Sequence, residues 1–251
     1  MKNSVSFFLS CISIIGGLFL LFVVLPAYFK TSVFCQFSDF FSIDRIEIER
    51  IGDATLLTFF RFLVSIVLGY LIGIVLSLPC IYSSFLDSIL SPWYNIFRIT
   101  PTIVWIPVLM NLKIIGSNAI IPIILGTIFS SLYVSFFICK VVRDIPDEEK
   151  MAMKAMKVDF YWKIWNCYFP RIIVSSVASL KLGGSVAFIL VIVGESLLSL
   201  DTGLGHLLDS YQGTLNRPAF WMTAIIISLL ALMIFSFCNL LNNLTRTNEK
   251  R

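Results

Sequence analysis

One polar segment, residues 140–171, carries most of the side chains with which this chain could do chemistry, and their spacing is typical of protein binding. Asp147, Glu148 and Glu149 follow Pro146, which predicts a helix start because proline is tolerated in the first turn and carboxylates favour the positive end of the helix dipole. Small or flexible apolar residues then recur at spacings of three and four and form a narrow band: Ala152, Met153, Ala155, Met156 and Phe160. We expect this short helix to dock in a groove on a partner protein.

The sequence offers no catalytic, cofactor or metal motif to compete with this interpretation. The single histidine, His206, lies beside Gly205 and Asp209 without a nucleophile motif around it. There is no GxxxxGK[ST] phosphate loop and no carboxylate or histidine cluster suited to Mg²⁺. The six cysteines lack metal-ligand spacing, and we interpret them as inert apolar residues. We predict no cofactor and no enzymatic site, with a membrane-embedded enzyme as the alternative.

Composition predicts that membrane-spanning helices position the polar segment. Of 251 residues, 58% are hydrophobic and 14% charged, and the mean hydropathy is +0.91. A soluble domain of this length needs more polar surface, whereas the apolar runs match the length of a membrane-spanning helix. We predict an all-α polytopic protein surrounded by lipid, whose first helix is retained rather than cleaved. About six transmembrane helices are expected: residues 7–29, 54–79, 88–111, 119–139, 172–194 and 219–240.

The basic residues predict how these helices are oriented. One face, which holds both termini and the polar segment, carries eleven of them: Lys2, Lys140, Arg143, Lys150, Lys154, Lys157, Lys163, Arg171, Arg246, Lys250 and Arg251. The opposite face carries five: Lys30, Arg45, Arg50, Lys113 and Arg217. The positive-inside rule therefore predicts that both termini and the polar segment are cytoplasmic. Because orientation explains the net charge of +4, we infer no nucleic-acid binding.

Two predicted spans carry small residues at every fourth position. In the second span these are Ser65, Gly69, Gly73 and Ser77. In the fifth span they are Ser175, Ser179, Gly183 and Ala187. Helices pack in lipid largely through close backbone approach, so each stripe predicts a tight helix–helix interface.

Charges and prolines within the spans are candidate pathway or helix-locking residues. We expect Arg61 to extend outward to the membrane interface, because it lies only about two turns into its helix. Arg98 and Lys181 lie deeper, where a cation costs about 2.5 to 3.5 kcal/mol, so they should face protein, water or an acid. Glu195 is one such acid. Three prolines should kink or unwind the third span: Pro92, Pro101 and Pro107.

These residues resemble the membrane subunit of type I ABC importers, in particular the branch for nitrate, sulfonate, taurine and thiamine precursors. The resemblance covers about residues 53–241. Pro146-Asp147-Glu148, Met151-Ala152-Met153, Lys157 and Phe169-Pro170 occupy the positions of the family's cytoplasmic loop motif, although the family has glycine where Lys157 stands. A second set of matches lies in the third and fifth spans and the loops after them: Arg98, Pro101, Trp105-Ile106-Pro107, Gly116, residues 187–195 and Gly203-Leu204-Gly205.

The resemblance implies a permease of the bacterial plasma membrane whose loop is a coupling helix between the fourth and fifth spans. ATP would be bound by a separate cytoplasmic ABC ATPase, and an extracytoplasmic binding protein would deliver the solute. Residues 1–52 would form the N-terminal helix and an external segment, 53–241 the transmembrane domain and 242–251 a cytoplasmic tail. The small-residue stripes and the lack of a repeated half predict a homodimer. A permease of the amino-acid or methionine branch is the alternative within transport.

Overall fold

The computed structural model describes residues 43–100, 104–111, 118–198 and 202–248, all in helices, turns or short connections. Nine α-helices occur in these ranges: α1 Arg45–Tyr82, α2 Ser84–Ile99, α3 Trp105–Asn111, α4 Ile121–Arg143, α5 Asp147–Ala155, α6 Phe160–Lys163, α7 Phe169–Leu197, α8 Leu204–Gly213 and α9 Arg217–Asn248. The predicted all-α class is confirmed. The predicted first span, the termini and Pro101 lie outside the described residues.

Four helices in this part of the chain are long and apolar enough to cross a membrane, judged by length and composition. They are α1, α4, α7 and α9, and they correspond to the predicted second, fourth, fifth and sixth spans. The predicted third span is instead divided into α2 and α3, because Thr100 is extended and ends α2 just before Pro101. A residue that precedes proline disfavours the helical conformation, which explains where α2 stops.

Helix α4 lies between the two stripes of small residues. Gly69 and Gly73 of α1 approach α4 so closely that an added Cβ would lie 1.8 Å from Ser130 Oγ and 2.7 Å from Val134 Cβ, respectively. From the other side, Gly183 of α7 would place a Cβ 3.4 Å from the Ser130 carbonyl oxygen. The remaining stripe residues are also buried: Ser65, Ser77, Ser175, Ser179 and Ala187. The contacts at Gly69, Gly73 and Gly183 are within one chain, so they do not support the predicted homodimer.

A disulfide joins α1 and α4 at the end of the bundle that carries α5, which we call the loop end. It links Cys80 to Cys139, with the two Cα atoms 5.6 Å apart. Our interpretation of the cysteines as inert was therefore wrong for this pair. The sulfurs lie near Asp87, whose carboxylate is already paired with Arg143 at 2.6 Å. The loop end of α1, α2 and α4 is thus fastened by one covalent bond and one ion pair.

Candidate functional site

Helix α5 forms where the sequence predicts a helix start. Asp147, Glu148 and Glu149 occupy its first turn, and the Glu149 N–H donates to the Pro146 carbonyl. Ile145, just before the helix, is buried. The charged first turn thus begins directly after an apolar anchor.

One side of α5 is fixed to the segment that leads into α7. Met153 is only 6% exposed and packs with Ile145, Cys167 and Tyr168. Glu149 accepts a hydrogen bond from Arg171 at 2.8 Å and another from the Cys167 thiol at 3.5 Å. The sequence places Met153 in the apolar band that is expected to dock on a partner, and this prediction was wrong because the side chain is buried within the protein. Position 153 anchors the helix.

The pKa values of Glu149 and of the Cys167 thiol are both shifted at this contact. The hydrogen bond from Arg171 lowers the pKa of Glu149. The ion pair is therefore fully formed at pH values above the usual glutamate pKa, and it is lost as the pH falls through the lowered pKa. Burial, followed by the hydrogen bond to Glu149, raises the pKa of Cys167. This thiol therefore stays protonated and poorly reactive at neutral pH.

The opposite side of α5 presents an apolar surface to solvent. Met151 is 67% and Met156 66% exposed, and Ala152 and Ala155 are exposed between them. We call these four residues the docking surface. Methionine and alanine offer adaptable, shallow apolar contacts, which suit a groove on another protein.

The C-terminus of α5 turns at Lys157, which adopts a left-handed backbone with φ of 48°. The Val158 N–H reaches back to the Met153 carbonyl at 3.3 Å, so the helix ends in a Schellman-type turn with Lys157 at the position that glycine usually occupies. A side chain in this conformation costs about 1 to 2 kcal/mol. Lys157 thus adopts the conformation that the glycine of the resembled family motif would favour.

We expect Lys157→Gly to stabilise this turn, because glycine adopts the left-handed conformation without the Cβ penalty. The gain should be about 1 kcal/mol and confined to α5. Hydrogen exchange of the amides at 155–158 measures it, and slower exchange is expected. Lys163→Gly is the control, since the backbone at 163 is right-handed and helical and glycine there should only loosen the chain. Faster exchange at 155–158 in the first variant would contradict the assignment.

A buried ion pair lies at the other end of the bundle. Arg61 Nη1 lies 2.7 Å from Glu195 Oε1, and the two side chains are 6% and 0% exposed. We expected Arg61 to reach the membrane interface, and this expectation was wrong because α7 supplies an acid at the same depth. Glu195 therefore joins α1 to α7.

Backbone and hydroxyl groups complete the surroundings of this pair. Thr58 Oγ1 donates to the Glu195 carboxylate at 2.8 Å and accepts from the Leu204 N–H at 2.9 Å. The Gly205 N–H also lies 3.2 Å from Glu195 Oε2. Gly203 has a φ of 111° and lies so close that an added Cβ would be 2.4 Å from the Glu195 carboxyl carbon. The start of α8 is therefore folded directly onto the carboxylate.

Of the other predicted pathway residues, the structure describes Lys181 and Pro107, and both lie outside this cluster. Lys181 Nζ lies 4.1 Å from the centre of the Phe235 ring, a cation–π contact between α7 and α9. Pro107 lies in the short helix α3. Arg98 is in the last turn of α2, and its side chain is outside the described atoms. His206 lines an open cavity of about 450 Å³ between α1 and α8, together with Arg50 and Asp53.

Four membrane-length helices and a short polar helix between α4 and α7 define a helical membrane protein by fold. Two solved structures resemble the chain. An inward-facing structure of the MetNI methionine ABC transporter matches with a TM-score of 0.71 and 15% identity, covering 81% of this chain and 99% of that one. A crystal structure of an amino acid ABC transporter with histidines matches with a TM-score of 0.66 and 16% identity, covering 80% and 98%. At these identities the likeness is one of fold.

The family follows from the sequence itself. Residues 65–247 match the model of the binding-protein-dependent transport system inner membrane component, and the chain belongs to this family. It is a multi-pass membrane permease of the ABC importer type. No curated protein sequence matches it significantly.

Proposed function

We propose that this permease couples to a separate cytoplasmic ABC ATPase through α5 and receives its solute from an extracytoplasmic binding protein. The observation that carries the proposal is the docking surface: Met151, Ala152 and Ala155 are exposed on α5 and Met156 directly after it, while the other side of the helix is fixed by Met153 and by the Glu149–Arg171 pair. A helix braced on one side and apolar on the other transmits movement between its partner and α7. ATP hydrolysis in the partner would in this way be linked to opening of the pathway.

Site-specific cross-linking tests the docking surface. A permease with Met151→Cys should form a disulfide-linked adduct with an ATPase that carries a cysteine in its groove. Gln212→Cys, exposed on α8 at the other end of the bundle, is the control and should form none. Equal adducts from both positions, or none from Met151→Cys, would contradict the proposal.

Orientation is tested with the same control variant. The positive-inside distribution of basic residues supports a cytoplasmic loop end and an external α8. A membrane-impermeant thiol reagent added to intact cells should therefore label Gln212→Cys and leave Met151→Cys unlabelled. The opposite pattern would invert the proposed topology.

Two solute classes are candidates. The residue pattern that resembles the nitrate, sulfonate, taurine and thiamine-precursor branch supports one of them. The other is the alternative branch for methionine or amino acids, the solutes of the two transporters whose fold matches. We propose the first, because the fold matches are 15–16% identical and carry no information on solute. Thermal unfolding of the partner binding protein, measured with solutes of each class in turn, decides between the two branches. Stabilisation by an amino acid alone would favour the second branch.

We also propose a second copy of this chain as the other half of the pathway, since the sequence contains no repeated half. The mass of the complex with its ATPase in detergent should correspond to two permeases and two ATPases. One copy paired with a different permease would contradict the homodimer while leaving the transport function intact.

A further inference from the structure

We infer that Arg61, Glu195 and Thr58 are positioning residues, which hold α8 in one orientation on α1 and α7 so that the binding protein can engage this end of the permease. The role of this orientation in import rests on the proposed function, whereas the contacts that fix α8 are observed in the structure.

Three separate segments meet at the carboxylate of Glu195. It accepts from Arg61 Nη1 at 2.7 Å and from Thr58 Oγ1 at 2.8 Å, both on α1. It also accepts from the Gly205 N–H at 3.2 Å, in the first turn of α8. A carboxylate has about four acceptor positions, and these donors use most of them. One buried charge on α7 therefore fixes both neighbours at once.

Arg61 extends this connection to Thr202, which lies two residues before α8. Its Nη1 donates to the Thr202 carbonyl and its Nη2 to Thr202 Oγ1, each at 3.2 Å. Thr58 adds a further contact, because its hydroxyl accepts from the Leu204 N–H while donating to Glu195. Each of these bonds has a direction as well as a distance. Together they fix the angle at which α8 leaves α7.

Attachment of α8 to α7 does not by itself require the Arg61–Glu195 ion pair. A buried ion pair adds little stability compared with well-packed apolar residues of similar volume, so we infer that this pair has a geometric role. Close packing already brings α8 onto α7, since a Cβ at Gly205 would lie 2.1 Å from the Ile192 carbonyl oxygen. We infer that the ion pair instead sets the orientation of the surface around the cavity, which Arg50 and Asp53 of α1 line together with His206 of α8.

The test replaces the pair by apolar residues of similar size, Arg61→Met with Glu195→Met, so that no buried charge is left unpaired. In vesicles with the ATPase and loaded binding protein, this double variant should assemble with the ATPase and keep its basal ATP hydrolysis. The concentration of binding protein that gives half-maximal stimulation should rise about tenfold or more. Stimulation at the wild-type concentration would overturn the inference.

A matched pair of threonine variants separates positioning from the loss of a buried hydroxyl. Thr58 and Thr223 are both fully buried, but Thr223 donates only to the Ala219 carbonyl of its own helix. Thr58→Val should raise the half-maximal concentration several-fold, and Thr223→Val should leave it unchanged. Equal effects would overturn the inference.

A distance measurement tests orientation independently of transport. Spin labels at Glu49 of α1 and Asp209 of α8, both exposed, should give a narrow distance distribution in the otherwise wild-type permease. The distribution should broaden in the double methionine variant, and an unchanged one would overturn the inference. If wild-type vesicles showed no stimulation by the binding protein at all, the proposed function would fail, while this measurement would still decide the positioning role.

Discussion

Ala152→Glu is expected to abolish binding of the ATPase and uptake, while the permease still inserts and folds. Ala152 is exposed within the docking surface, so the free permease accommodates the longer side chain without a clash. Glutamate and alanine are both good helix formers, and α5 itself should persist. In the complex, however, the carboxylate would be desolvated against apolar contacts without a partner, which costs at least about 3 kcal/mol, roughly a hundredfold in affinity.

Co-purification of the ATPase and ATP-driven uptake in vesicles measure this effect. The control is Ala152→Ser at the same position, a small uncharged change that should reduce affinity less than tenfold. Normal thermal unfolding of the glutamate variant alone would show that the loss is one of docking. Retained ATPase binding and full uptake by Ala152→Glu would refute the coupling role of α5.

Gly205→Ala is expected to cause the largest loss of stability at the other end of the bundle. An added Cβ would lie 2.1 Å from the Ile192 carbonyl oxygen and 2.9 Å from the Ser196 nitrogen, both backbone atoms of α7. Backbone cannot move aside as a flexible side chain does, so α8 must shift and its contacts with Glu195 must lengthen. Overpacking of this kind costs about 1 to 3 kcal/mol and occasionally more, and we expect the upper end.

Gly213→Ala, in the last turn of the same helix, is the matched control. An added Cβ there meets nothing within 4 Å, so alanine should be neutral or stabilise by up to about 1 kcal/mol. Thermal unfolding in one detergent compares the two variants, and only Gly205→Ala should lower the midpoint. Equal midpoints would mean that α8 does not depend on close contact with α7.

Local features of this protein were predictable because their causes lie within a few residues. The start of α5 follows from Pro146 and the carboxylates after it. The break between α2 and α3 follows from Thr100 and the proline after it. In each case a steric or dipolar rule acts on adjacent positions.

The buried ion pair was not predictable in the same way. Arg61 and Glu195 are 134 positions apart, and the depth of an arginine in its helix does not reveal which acid another helix supplies. The signal that could have found it was present in Glu195, an acid within an apolar run that needs a cation. Met153 illustrates a second limit, since spacing defines a face of a helix but not which face is bound within the chain.

The small-residue stripes show a third limit. Their spacing indicated close helix contacts, but the contacts at Gly69, Gly73 and Gly183 are made with α4 of the same chain rather than with a second copy. A stripe specifies how near a neighbour can approach and carries no information on which neighbour it is. For this reason the stripes give no support to the proposed homodimer.

The packing around α4 has a practical consequence for handling the protein. In the most apolar part of α4 61% of residues are buried, against 11% in that of α9, so the two helices depend on their surroundings to different degrees. The contacts of Gly69, Gly73 and Gly183 rest on shape and short distances, which are the same in any hydrocarbon-like medium. The assembly of α1, α4 and α7 should therefore tolerate a change of detergent or bilayer thickness, whereas α9 should respond first to a poor match between solubilising medium and helix length.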